Sequence, residues 1–302
     1  MSWRVVVISG IAKLELRLGY LVVRQETTTR IHLSEIYALM VESTAVSLTA
    51  ALLSALVQNK VKVIFCDERR NPVSELMPCY GCHDTSLKIG QQVKWDEARK
   101  VEVWTAIVAN KIKQQQRVLL ALGQGEAAGM LEEYIAQLLP GDTTNREGHA
   151  AKVYFNAAFG GAFARGKEGP INAALNYGYS VLLSAFNREI VGAGYLTQLG
   201  LWHANRFNLF NLSSDLMEPY RPLVDIAALR LNPESFGSAE KRVMANVLNG
   251  GIVMDGKNYH VIYAISQYVR SVLNVLNEEA EIAGLKFYEH GKLEMDAFLE
   301  PS

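Results

Sequence analysis

Apolar residues in this chain follow two different rhythms, and the change between them falls near residue 90. Before it come short runs rich in Val, Ile, Leu and Tyr: Trp3–Ser9, Lys13–Leu18 and Tyr20–Gln25, then Arg30–Leu33, Ile36–Val41 and Lys62–Cys66. Runs of that length, punctuated by Gly10 and Gly19, are expected of strands joined by hairpin turns. The stretch from about Ala45 to Gln58 is too continuously apolar for an alternating strand and reads as one helix. Asn71-Pro72 ends the regular pattern, and Pro78 to Asp84 is a turn-rich connector.

From about Lys94 the spacing becomes helical. Trp104, Ile107, Val108 and Ile112 mark one long helix over Asp96–Leu122, closed by Gly123 and Gly125. Further helices are expected over Glu126–Leu139, Arg146–Phe155, Pro170–Val191, Ser238–Leu248 and His260–Ala283. Thr143 or Thr144 is placed to start the helix that carries Glu147. No segment after about residue 90 alternates convincingly. The expectation is therefore an α+β chain with a small, sandwich-like β domain over residues 1–75. A linker over 76–90 and a larger all-α domain over 91–302 follow, with the residues after His290 fraying.

Charge does not by itself point to a nucleic-acid partner, since the formal net charge is -1 and phosphate binding calls for Lys and Arg. The charge is unevenly spread, however. Val103 to Gly125 holds no acid, and Lys111, Lys113 and Arg117 cluster there, as a solvated helix face or a DNA contact. The N-terminus lacks the basic start, apolar stretch and cleavage site of a signal peptide. The apolar stretch from Ala45 to Val57 is too short for a bilayer of about 30 Å. A cytoplasmic chain without membrane contact is expected. The three cysteines are too few for a disulfide framework. Cys79 and Cys82, followed by His83, have the spacing of a haem attachment site or half a zinc ribbon. With no export signal and no second ligand pair, they read as ordinary thiols in a loop.

Three places could carry chemistry. In LWHANRFNLFN, starting at Leu201, His203 sits among aromatic residues and asparagines. Asp215 and Glu218 follow, three residues apart and so on one helix face, with Arg221 three further on. A bound cation or a salt bridge to Arg221 would relieve the repulsion between them. Pro219 and Pro222 would remove backbone bonds at these acids, or else start a helix near Pro219. Third, Glu147 stands in the first turn of a helix, where an acid is favoured by the dipole whatever its role. Gly148 beside it leaves room for a ligand, while His149 points elsewhere on the helix.

Taken together, NREGHAAKVYF, INAALNYGYSVLLSAFNREI, GLWHANRFNLFNLSSDLMEPYRPLVD and KVKVIFCDERRNPVSELMP resemble the Cas one family, the spacer-acquisition integrases of CRISPR adaptation. The type II variant is the most similar, and the resemblance runs along nearly the whole chain. It implies catalytic, metal-holding roles for Glu147, His203 and Glu218, with Asp215 as a supporting or alternative ligand. Asn172 and Asn176 would brace the site. It also implies a β-sandwich-like domain plus a helical domain, a homodimer, DNA as substrate, and a Cas two dimer with further type II adaptation proteins as partners. Lys111, Lys113, Arg117 and Arg146 are the candidate DNA contacts. The Cys79/Cys82 connector departs from the family pattern.

Two carboxylates and a neutral imidazole suit Mg²⁺ or Mn²⁺. The implied reaction is attack by a DNA 3′-hydroxyl on a phosphodiester of the CRISPR repeat, alongside endonuclease activity. A metal-dependent repair nuclease would use the same ligands with water as nucleophile. A non-catalytic helical scaffold would hold the same residues as buried pairs.

Overall fold

The computed structural model describes residues 4–78 and 82–289. Its first part contains β1 (Arg4–Ile8), β2 (Ala12–Arg17), β3 (Tyr20–Arg24), β4 (Thr28–His32), β5 (Ile36–Val41), β6 (Val46–Leu48), α1 (Ala50–Gln58), β7 (Lys62–Cys66) and β8 (Pro72–Leu76). Two four-stranded sheets result, ordered β1-β5-β7-β8 and β4-β3-β2-β6. Leu18 and Gly19 both have positive φ, making the tight turn that joins the antiparallel β2 and β3. Gly10 does not make the expected hairpin. There the chain leaves one sheet for the other, because β1 pairs in parallel with β5.

The two sheets close over one apolar core. Ile8 and Leu39 enter it from one sheet, Leu14, Leu21 and Ile31 from the other, and Leu52 and Leu56 of α1 cover its end. α1 starts at Ala50 rather than Ala45, because Thr49 caps it by accepting from the Leu52 N–H at 3.3 Å. The three residues before that cap are β6, on the free edge of its sheet. Pro72, expected to end the pattern, opens β8 instead, at the edge of a sheet where a missing N–H costs least.

The helical part comprises α2 (Thr85–Gln92), α3 (Glu97–Ala121), α4 (Gly125–Ala136), α5 (Arg146–Phe159), α6 (Pro170–Gly192), α7 (Asn211–Leu216), α8 (Arg221–Leu231), α9 (Ser238–Ala245) and α10 (Val261–Leu276). The hairpin of β9 (Gly251–Met254) and β10 (Lys257–His260) precedes α10 and corrects the expectation that no strand follows residue 90. Its signal is the Asp255-Gly256 turn, where both residues have positive φ. Four-residue arms running straight into a helix had too few alternations to register. α2 fills part of the expected linker. It is eight residues long with Gln92 as its one buried side chain, and Gln92 anchors it by donating to the carbonyls of Leu196 and Leu199.

The second face of β5 and β7 (Tyr37, Met40, Ile64 and Cys66) joins the core of the helical part. Polar contacts tie the same seam. Tyr177 donates to Glu42 at 3.1 Å and Asn187 donates to Glu75 at 2.9 Å, while Lys62 on the neighbouring strand pairs with the same Glu75. Among the described residues no helix is long and apolar enough to cross a membrane.

Candidate active site

Glu147 is placed by the start of α5. Its cap is Asn145, not Thr143 or Thr144: Asn145 adopts a left-handed backbone and accepts from the Gly148 N–H at 3.3 Å. Asp142 takes the next free donors, the N–H groups of Arg146 at 2.7 Å and Glu147 at 2.9 Å. Gly148 serves this cap rather than a ligand, because a Cβ there would lie 2.7 Å from the Asn145 Oδ1.

Between α7 and α8 the chain makes a one-turn 3-10 segment, Glu218–Tyr220. Pro219 and Pro222 account for the break, since neither can continue an α-helical ladder. The consequence is that Asp215 and Glu218 do different jobs. Glu218 Oε1 accepts from Arg221 Nε at 2.7 Å, the bridge that their spacing allowed. Asp215, fully buried, turns to the segment that carries His203.

That segment, between α6 and α7, is irregular but densely bonded. Gln92 of α2 donates to the carbonyls of Leu196 at 2.9 Å and Leu199 at 3.1 Å. Asn211 donates to the carbonyls of Gln198 and Asn205, each at 3.0 Å, and Thr197 to that of Leu209 at 2.7 Å. Asp215 Oδ2 accepts from the N–H groups of Leu201 at 2.7 Å and Trp202 at 3.1 Å. Its Oδ1 accepts from the His203 N–H at 3.2 Å and pairs with the imidazole Nδ1. Trp104 of α3 supplies the wall, stacked on Trp202 with ring centroids 5.8 Å apart and meeting the His203 ring edge-on at 5.9 Å. With Nδ1 held, Nε2 is the free ring nitrogen among the described residues. The side chain is 45% exposed, so that nitrogen has a path to a substrate.

The feature that sequence misjudged is Lys111. It is 8% exposed rather than solvated. Its ammonium lies 2.5 Å from Glu147 Oε1 and also pairs with Glu218 Oε2. This corrects its expected place in a DNA-binding patch. The same helix leaves Lys113 exposed and half-buries Arg117, which donates to Gln114 at 3.4 Å. Arg146 lies half-buried over the Tyr134 ring at 5.7 Å, and His149 is exposed. Asn172 and Asn176 accept from Arg165 at 2.5 and 2.8 Å, so they brace that arginine. Arg165 in turn stacks 5.3 Å from the Tyr179 ring. Cys82 is a free thiol that donates to Asp84 at 2.8 Å, and Cys79 lies outside the described residues.

Electrostatics follow from these contacts. Burial pushes the Glu218 carboxyl up, but Lys111 and Arg221 outweigh it and hold the group down at about 2. The bond to Asp215 raises the His203 imidazole above its ordinary value, more than burial lowers it. Behind the site, Tyr154 and Tyr179 both donate to the buried Asp225, and Arg221 lies over the Tyr179 ring at 4.8 Å. Asp225 is not legible in the sequence, because an acid on an apolar helix shows nothing of its tyrosine partners, 71 and 46 residues away.

Among the described residues, no three His, Cys, Asp or Glu side chains are arranged as one metal-binding group. Lys111 occupies the point on which the two carboxylates converge. The donor set nevertheless fits a divalent ion. Two anionic groups from different helices already share one cation, and among the described residues Glu218 Oε2 has no hydrogen-bond donor beyond that ion pair.

Known proteins resemble this chain along most of its length. The profile for CRISPR associated protein Cas1 matches residues 5–241. A CRISPR-associated endonuclease Cas1 from Neisseria meningitidis serogroup C (strain 8013) is 34% identical over 96% of this chain and 100% of the relative. A casposase bound to its integration product superposes with a TM-score of 0.72 at 18% identity, covering 93% of this chain and 92% of the other. A longer chain in a Cas6-RT-Cas1–Cas2 complex gives a TM-score of 0.73 at 17% identity, covering 95% of this chain and 36% of that one. Both structures share the fold of a β-sheet region followed by a mostly helical one. The chain belongs to the CRISPR-associated Cas1 protein family.

Proposed function

We propose that this chain is a cytoplasmic, metal-dependent DNA endonuclease and integrase of CRISPR adaptation. In this reading it joins the 3′-hydroxyl ends of captured DNA to the CRISPR repeat by transesterification. One observation carries it: Glu147 and Glu218 converge on a single cation, and both act electrostatically on an imidazole that Asp215 has already oriented. The names of the relatives, an endonuclease from Neisseria and a casposase bound to an integration product, support the same chemistry.

Glu147, Glu218 and Nε2 of His203 would hold Mg²⁺ or Mn²⁺. When bound, such an ion neutralises charge developing at the scissile phosphate and the leaving oxygen. The rest falls to this chain's own groups. Arg221 fixes the Glu218 carboxylate, Asp215 keeps the Nδ1 proton on His203 and so leaves Nε2 with its lone pair, and Trp104 prevents the ring from tilting away. No covalent protein–DNA intermediate is needed, because a 3′-hydroxyl exchanges one phosphodiester for another. The enzyme's main contribution is then to align the two DNAs. Lys113, Arg117 and Arg146 are the proposed backbone contacts. A homodimer working with a Cas2 dimer, and with other type II adaptation proteins, would provide the second integration site. The Cas1–Cas2 complex among the structural neighbours supports the Cas2 partner.

The test is a supercoiled plasmid carrying a CRISPR repeat, incubated with short duplexes bearing free 3′ ends and Mn²⁺. Covalent joining of duplex to plasmid is expected. Loss of joining in His203→Ala and Glu218→Ala, with circular dichroism unchanged, would tie it to this site. Nicking without joining would reduce the activity to that of a nuclease.

A further inference from the structure

We propose that Lys111 is a tethered cation, which keeps Glu147 and Glu218 facing one another and yields that position when a divalent metal binds. The inference rests on the metal site proposed above and adds a competitor to it. Glu147 and Glu218 come from separate elements, the start of α5 and the turn after α7. Lys111 reaches both from the middle of α3. Arg221 cannot substitute, because its bond goes to Glu218 Oε1 from three residues away. Without Lys111, two carboxylates, one of them 4% exposed, would face each other with no shared cation. Like charges at that burial repel with little screening.

The residue type matters. A lysine ammonium is a compact point charge on a stem with several rotatable bonds, so it can leave by changing rotamer while its helix stays in place. An arginine would engage a carboxylate through two bonds in a fixed fork and release it less readily. A metal that must displace Lys111 binds more weakly than the same ligands would allow, in proportion to the fraction of molecules whose carboxylates are free.

The experiment compares the full chain with Lys111→Met, which keeps the stem and removes the charge. Mn²⁺ binding is measured by electron paramagnetic resonance of the free ion, and melting temperature is measured in EDTA and in Mn²⁺. Lys111→Met should bind Mn²⁺ roughly tenfold tighter or more. It should melt lower than the parent in EDTA and recover more of its melting temperature on adding Mn²⁺. The double variant Lys111→Met/Glu218→Gln should regain melting temperature in EDTA, because it removes the unpaired charge along with the pair. Unchanged or weaker Mn²⁺ binding by Lys111→Met overturns the inference alone, provided the parent binds Mn²⁺ and Glu218→Gln does not. Strictly additive losses in the double variant overturn it as well. Failure of the parent to take up Mn²⁺ overturns both the inference and the metal site beneath it.

Discussion

Asp215 holds His203 at two points, accepting the backbone N–H at 3.2 Å and pairing with the ring Nδ1. Its other oxygen is taken by the N–H groups of Leu201 and Trp202. The carboxylate is thus fully committed to the loop and the imidazole, which makes it a positioning residue. Asp215→Asn should reduce DNA joining about 10–100-fold, the usual cost of losing a group that orients a ligand. The titration of His203 separates this from general damage. Asp215 raises the imidazole above its ordinary value, so the variant's ring signal, followed by NMR without metal, should shift to lower pH. The raised value also means that a proton competes for Nε2 above about pH 6.5 as well as below it. An unmoved His203 titration would refute the positioning role.

Gly200 lets that loop close. A Cβ there would lie 2.4 Å from the His203 carbonyl oxygen and 2.8 Å from Asp215 Oδ2. Neither neighbour can retreat, one being backbone and the other held by the N–H groups of Leu201 and Trp202. Gly200→Ala should therefore cost about 1–3 kcal/mol, the range for forcing bulk into a packed site. It should also displace His203 and lower joining more than melting temperature alone would explain. Parental activity in this variant would show the loop to be looser than its bonds indicate.

The core elements were legible because their apolar rhythm is strong. β5 and β7 have the bounds expected, and α3 and α6 differ by a residue or so. The helix start at Asn145 was not, because Asp142 and Asn145 adopt positive φ, a choice set by the site and not by local preference. Lys111 was misjudged for a different reason. It was grouped with Lys113 and Arg117 by charge, although Trp104, Val108, Lys111, Gln115 and Val118 repeat at three and four residues and are all buried. A lysine on an apolar stripe needs a buried anion, and reading the helix by face rather than by charge would have found it.

Asp225 predicts a pH effect on stability. Burial raises its carboxyl to about 6, despite hydrogen bonds from Tyr179 and Tyr154 and the nearby Arg221. The folded protein then binds this proton more readily than the unfolded chain, whose ordinary value is about 3.9. The stabilisation is complete below about pH 3.9, is lost as pH rises through about 6, and amounts to ~3 kcal/mol at most. Asp225→Asn cannot titrate. The melting temperature of the variant should therefore improve relative to the parent as pH is raised from about 4 to 7. Parallel melting curves across that interval would show that Asp225 is ionised throughout.

Lys113 and Lys111 sit two residues apart on α3, and only the loss of Lys113 should change the salt dependence of DNA binding. Lys113 is exposed and can exchange counterions for DNA phosphate, while Lys111 is spent on two carboxylates. Replacing Lys113 with Ala should weaken binding of a duplex and reduce the slope of log affinity against log salt by about one. Arg117→Ala should do so less, since that side chain is half-buried and donates to Gln114. Lys111→Met should leave the slope unchanged in the absence of divalent metal. Filter binding at several monovalent salt concentrations, in EDTA, measures all three. A slope lowered by Lys111→Met as much as by Lys113→Ala would mean that the ammonium faces DNA and not the two glutamates.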